Sequence, residues 1–279
     1  IKTNDLPDLL TSKQDVNALL LFYNDGWNEH LTPVKLLRLL QDVLPNDWES
    51  VIARHPEIFA SILTQGDLDD IFVSYDTTAA YIDNYTDGWD TRESPRELLE
   101  RLRQRNTQQA EELIVSHPEI FTSYIDVHDL PNLIRSDDTV VKFVEYYREG
   151  WYRLVSPDEL LLLLQKTHPE NWGSIVVYFP NIFVSYMSSR EFSDFLASDD
   201  AAVAFLRLYE RNWELFIAPD RVLYFLKERH PYQWGDLVVG HPEIFSHVMS
   251  SGDLPDLLTS IVSVNAFLNT YNGGWKSVY

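Results

Sequence analysis

The stretch HPEIF at His55–Phe59 recurs at His117–Phe121 and His241–Phe245, and the same slot reads FPNIF at Phe179–Phe183. Each start lies 62 residues from the next. A fixed period of this size marks a repeat array, so it governs every later inference about the fold. The rest of the chain keeps the register without a gap. Trp27, Trp89, Trp151, Trp213 and Trp275 are 62 apart, as are Tyr23, Tyr85, Tyr147, Tyr209 and Tyr271, and Ser12, Ser74, Ser136, Ser198 and Ser260. The other three tryptophans, Trp48, Trp172 and Trp234, share one slot, which Ala110 fills in the second copy. The copies run 4–65, 66–127, 128–189 and 190–251, with a partial fifth over 252–279. With no spacer between them, residues 1–279 are expected to form a single continuous repeat domain, because one such unit is too small to bury its apolar face alone.

Local signals within a copy are helical. In the third copy Ser136 is placed to cap a helix whose apolar residues Val140, Phe143, Val144 and Tyr147 fall at i, i+3, i+4, i+7. Gly150 ends it; the slot holds Gly26, Gly88, Gly150, Asn212 and Gly274, which predicts a left-handed C′ residue. The tryptophan that follows is expected to fold back on the last turn. Ser156-Pro-Asp-Glu159, matched by Ser94-Pro-Arg-Glu97, is a capping box with proline at the first helical position. In HPEIF the proline is likewise at home in a first turn, so the motif predicts a short helix that aims Ile and Phe at a core. No segment alternates with period two. The expected class is therefore all-α, an α-solenoid of tandem 62-residue helical repeats, each readable as two helix pairs of about 31 residues. HEAT and tetratricopeptide arrays build this kind of architecture, although their consensus residues are absent here.

Composition narrows the function classes. The chain has 279 residues and a net charge of −21. The second copy is the most acidic at −9 and the third the least at −3. A nucleic-acid reader needs a basic face, and anionic membranes repel this sign of charge, so neither partner is expected. The longest apolar runs, LLLLL from Leu160 and IVVYF from Ile175, are far too short to span a bilayer. Absence of cysteine rules out disulfides and thiolate ligands and fits a reducing compartment. A cytoplasmic location is the expectation, with a bacterial factor delivered into another cell as the alternative. Oligomeric state is left open.

Candidate chemistry is sparse. His55, His117 and His241 belong to the HPEIF corner, whose third slot is Phe179, and His168 and His230 precede another proline. All five are assigned to capping or packing. Paired acids such as Asp137–Asp138 and Asp199–Asp200 sit where a helix dipole favours them. The aromatic ladder is assigned to the core between copies. No catalytic, cofactor-binding or metal-binding residue follows from the sequence.

The informative slots are those in which copies disagree. One reads Arg38, Glu100, Leu162, Tyr224; another Arg54, Ser116, Tyr178, Gly240; a third His30, Arg92, Leu154, Phe216. Each turns apolar or aromatic in a later copy, which points to a docking patch around Leu154, Leu162, Tyr178, Phe179, Phe216 and Tyr224. The expected function is a non-catalytic protein–protein interaction scaffold that offers an acidic surface to a basic protein or peptide. The alternatives are an enzyme with carboxylates in a groove of the helical array, and an acidic mimic of nucleic acid.

Overall fold

The computed structural model describes Leu10, residues 12–105 and residues 107–278. Among them every regular element is helical and none is a strand. The longest described helix of each of the four complete copies starts on proline: Pro33–Val43, Pro95–Arg105, Pro157–Thr167 and Pro219–Arg229. None of the described helices is long and apolar enough to cross a membrane. The chain divides into two compact units, residues 1–125 and 126–279. That division falls two residues before the change from the second to the third sequence copy.

The serine slot works as its position predicts. Ser12, Ser74, Ser136, Ser198 and Ser260 each accept a hydrogen bond from the backbone N–H three residues on. This satisfies one of the donors that a helix start leaves unpaired. The boxes Ser94–Glu97 and Ser156–Glu159 also form. Each HPEIF-type motif is a one-turn helix: Pro56–Phe59, Pro118–Phe121, Pro180–Phe183 and Pro242–Phe245. Phe59, Phe121, Phe183 and Phe245 are fully buried.

Tyrosine and tryptophan lock the turn that follows the serine-capped helix. The hydroxyls of Tyr23, Tyr85, Tyr147 and Tyr209 donate to the carbonyls of Leu31, Glu93, Val155 and Ile217, eight residues on, at 2.5, 2.5, 2.7 and 2.5 Å. Trp89, Trp151, Trp213 and Trp275 are fully buried. Their rings do fold back on the preceding helix: Trp89 stacks on Tyr81 at 4.7 Å, Trp151 on Phe143 at 5.0 Å and Trp275 on Phe267 at 6.0 Å. The indole Nε1 of Trp89, Trp213 and Trp275 donates to Ala53, Val177 and Val239, at 3.0, 2.9 and 2.9 Å. Each of these carbonyls lies 36 residues earlier, in the preceding copy, so the indole ties neighbouring copies within a unit. Trp27, whose slot has no residue 36 positions before it in this sequence, is half-buried.

The glycine slot corrects the sequence reading. Gly26 and Gly88 have the expected positive φ, +131° and +150°, but Gly150 and Gly274 are extended at −176° and 171°, so the left-handed reading holds in only two copies. The slot joins two short 3-10 turns, as at Tyr147–Glu149 and Trp151–Arg153. At Gly88 and Gly274 the slot also requires closeness. A Cβ on Gly88 would lie 3.2 Å from Pro56 Cβ, and one on Gly274 would lie 2.6 Å from Pro242 Cβ. The corner proline 32 residues earlier therefore packs on the glycine backbone. Where Asn212 takes the slot, the chain runs through a π-turn at Tyr209–Trp213 instead.

Two histidines act as straps. His168 is buried, with Nε2 2.7 Å from Ile134 O and Nδ1 3.2 Å from the Asp137 carboxylate. His230 repeats this, with Nε2 2.6 Å from Leu196 O and Nδ1 2.9 Å from Asp199. Asp137 and Asp199 thus anchor an imidazole in addition to opening a helix. His117 contacts Leu113 O and Asp83, while His55 and His241 face Glu57 and Glu243. All five rings are held in local packing.

Candidate functional site

The six residues of the expected patch all lie in the second unit. Leu162 and Tyr224 project from the helices Pro157–Thr167 and Pro219–Arg229 and are 60% and 61% exposed. Tyr178 and Phe216 are exposed, while Leu154 and Phe179 are half-buried. Phe216 lines an open cavity of about 240 Å³ with Val184, Met187, Phe192, Arg221 and Phe225. Tyr224, outside that lining, meets Phe225 edge to face at 5.6 Å. Among the described residues no ring contact joins Tyr178 or Phe179 to that pair.

A second cluster, in the first unit, escapes the sequence reading. Glu93 is buried, at 6% exposure, and its Oε1 accepts from Arg101 Nε at 3.0 Å. The same guanidinium donates through Nη1 to Asp69. It also lies over the Phe72 ring, 5.1 Å from the centroid, with Arg105 at 5.9 Å. Two buried polar atoms here have no hydrogen-bond partner, Glu93 Oε2 and the Tyr81 hydroxyl. Burial raises the pKa of Glu93, and the ion pair with Arg101 opposes that rise. Tyr81 is pushed up as well, by burial first and by the neighbouring Glu93 charge second.

The repeat register shows how unusual this is. Glu93 stands in the slot of Leu31, Val155 and Ile217. Arg101 stands in the slot of Leu39, Leu163 and Phe225, and Tyr81 in that of Leu19, Phe143, Phe205 and Phe267. Three slots that are apolar, and buried or half-buried, in the other described copies are polar in the second, and there they lie in one cluster.

That site opens into a cavity of about 410 Å³, lined by Asp69, Arg92, Glu93, Glu97, Glu100 and Arg101 among others. Glu97 is held below the usual carboxylate range by its hydrogen bonds from Ser94. A second cavity, of about 280 Å³, is lined by Phe72, Thr78, Leu102, Ala110 and Leu113. It lies beside the slot where three other copies bury an indole, Trp48, Trp172 and Trp234. Among the described residues there is no group of three or more His, Asp or Glu side chains arranged to hold a metal ion.

Compared with known proteins, the chain matches no family model, no curated protein and no solved structure. What stands at this point is an all-helical protein whose second copy carries a buried acid–guanidinium pair beside an acid-lined cavity.

Proposed function

We propose that this chain is a non-catalytic protein–protein interaction scaffold, an α-solenoid in which 62-residue helical copies, each two helix pairs, stack side by side and hold a basic protein or peptide on an acidic surface. One observation supports the reading above the others: the recurring Trp89, Trp213 and Trp275 are buried and bonded to the adjoining copy, while the variable residues Leu162, Tyr178, Phe216 and Tyr224 are exposed. In a scaffold the recurring residues hold the array and the variable ones are free to bind. A net charge of −21 favours a cationic partner, speeds its association and makes the complex sensitive to salt. The exposed aromatic pair Phe216 and Tyr224 supplies an apolar contact within that surface, with Leu154, Leu162, Tyr178 and Phe179 as its further members.

Affinity capture at low and high salt, with mass spectrometry, tests the proposal. Recovery of a basic protein that is lost at high salt is the expected result. Recovery of acidic or neutral partners that survive high salt would falsify it. The enzymatic alternative draws on Glu93 alone, the carboxylate raised by burial at the floor of a cavity. Turnover abolished by Glu93→Gln would replace the scaffold with that reading.

A further inference from the structure

We infer that the cavity of the fourth copy receives the C-terminal residue of a partner polypeptide, its apolar side chain seated against Phe192, Phe216 and Phe225 and its free carboxylate held by Arg221. The inference rests on the scaffold reading and names one of its contacts.

The first argument is recurrence. The cavity beside Phe216 and the acid-lined cavity of the second copy have corresponding walls, two repeat periods apart. Leu68 matches Phe192, Arg92 matches Phe216, Glu97 matches Arg221 and Arg101 matches Phe225. The repeat thus builds the same hollow twice and lines it differently each time. Repeat scaffolds bind at such places, where the frame is kept and the side chains change. In the fourth copy the lining is aromatic and open to a partner. Phe192 and Phe225 are buried, Phe216 is 43% exposed and its neighbour Leu215 is 85% exposed.

The second argument is charge. Among the described residues that line the cavity, Arg221 alone is charged. Its guanidinium carbon lies 5.5 Å from the Phe225 ring centroid, and Nη2 donates to Ser189 Oγ at 3.1 Å. No ion pair engages it among the described residues, whereas Arg101, Lys227 and Arg229 each meet a carboxylate. Most of its N–H donors are therefore open to a ligand. Helix capping is forgone to place it. In the second and third copies this slot holds Glu97 and Glu159, which close capping boxes with Ser94 and Ser156. The fourth copy has Ala218 and Arg221 there, and no side chain caps the helix Pro219–Arg229.

The occupant must suit both walls. At about 240 Å³ the cavity is smaller than a small-molecule pocket, typically about 300–1,000 Å³, and suits one anchoring side chain. A cationic side chain would be repelled by Arg221. A phosphate would gain nothing from the phenyl walls. A carboxylate matches the paired donors of a guanidinium, and an apolar side chain matches the rings. The last residue of a polypeptide carries both groups on one Cα. A partner that is basic along its length and apolar at its last residue satisfies the acidic surface and the cavity together.

The test is calorimetric titration of the full chain with the N-acetylated peptides Gly-Ser-Gly-Phe and Gly-Ser-Gly-Leu, each as free acid and as C-terminal amide. At least one free acid should bind, and its amide should bind at least tenfold more weakly. Arg221→Gln should abolish that difference, and Phe216→Ala should weaken the free acid tenfold or more. Arg96→Gln, an exposed arginine of the other unit, should change neither. Equal binding of acid and amide overturns the inference, as does no binding, or an acid preference that survives Arg221→Gln. Should the variants not fold, backbone amide shifts of the native chain decide: perturbation by Gly-Ser-Gly-Phe centred on Phe216 and Arg221 supports the pocket, and perturbation confined elsewhere overturns it. The scaffold and the pocket fail separately. A captured basic protein that binds equally well with its C-terminus amidated sinks the pocket alone. Free-acid peptides that bind at Arg221 while no basic protein is captured sink the scaffold alone.

Discussion

Pro56 lies so close to Gly88 that a methyl group on the glycine would sit 3.2 Å from the proline Cβ, with the backbone there at φ +150°. Two independent demands therefore fall on Gly88, whereas Gly26, at φ +131°, has nothing within 4 Å of the same position. Gly88→Ala is expected to cost about 2–4 kcal/mol, from positive φ and overpacking together, and Gly26→Ala about 1–2. Chemical denaturation of the two variants checks the order. Equal losses would show that proline packing adds nothing.

The tyrosine-to-carbonyl bonds predict alkaline behaviour. Burial pushes Tyr147 and Tyr209 up to about 12 from an ordinary 10. The folded state therefore binds protons that the unfolded state releases first. Their contribution is complete below pH 10 and is lost as pH rises from 10 to about 12, by up to about 2 kcal/mol each. Ultraviolet titration should show these phenols ionising late and together with unfolding. Tyr147→Phe, which leaves the Val155 carbonyl unpaired, is expected to cost about 1–3 kcal/mol.

On the acid side, the Lys227 ammonium bonded to Asp253 at 2.9 Å holds that carboxyl at about 2. A depressed carboxylate stabilises above its unfolded value, so this increment is present near neutrality and disappears as pH falls from about 4 to about 2. Both side chains are partly exposed, which limits it to about 1 kcal/mol. Asp253→Asn should lower stability at pH 7 and leave it unaltered at pH 2. A loss of the same size at both values would assign the effect to packing.

The polar core of the second copy makes the opposite kind of prediction. Tyr81→Phe restores the ring found at Phe143, Phe205 and Phe267 and removes an unpaired hydroxyl, so stability should rise by about 1 kcal/mol. The pair Glu93→Leu with Arg101→Leu, which restores the residues at Leu31 and Leu39, should add about 1–3 kcal/mol, whereas Glu93→Leu alone should lower stability because it leaves the largely buried Arg101 only half-paired. Because burial raises Glu93, its ionisation opposes folding, and the gain from the double change should shrink from pH 7 to pH 4. A double-mutant cycle at both pH values measures this.

Ala110→Trp restores the side chain present at Trp48, Trp172 and Trp234 and fills space beside the 280 Å³ cavity. A gain of about 0.5–2 kcal/mol is expected in thermal or denaturant unfolding. A loss would mean that the helix Gln108–Ser116, which starts earlier in its copy than Trp172–Val176 does, has closed the indole slot.

Much of the helical framework was legible in the sequence, because it is written several times over. A serine before an apolar period, a proline in a first turn and a tryptophan every 62 residues each carry one local meaning, and Ser136, Pro118 and Trp151 act accordingly. The glycine slot misled in part: Gly26 and Gly88 take the expected positive φ, but Gly is needed equally for close approach, and the extended Gly274 against Pro242 is that second case. The clamp from Tyr147 to Val155 was invisible because it depends on the course of two successive 3-10 turns. Glu93 was missed for a plainer reason. Comparing slots for residues that turn apolar picks out Leu162 and Tyr224, but a lone acid among Leu31, Val155 and Ile217 reads as one more surface charge until the fold places it inside.

The indole bonds of Trp213 and Trp275 both run backward over 36 residues, to Val177 and Val239. A splice that inserts or deletes a whole 62-residue block leaves every such donor opposite a carbonyl of the usual kind, whereas a cut of half that size strands one. Growth or shrinkage of this protein over generations is thereby quantised, with the tryptophan serving as the proofreader of length.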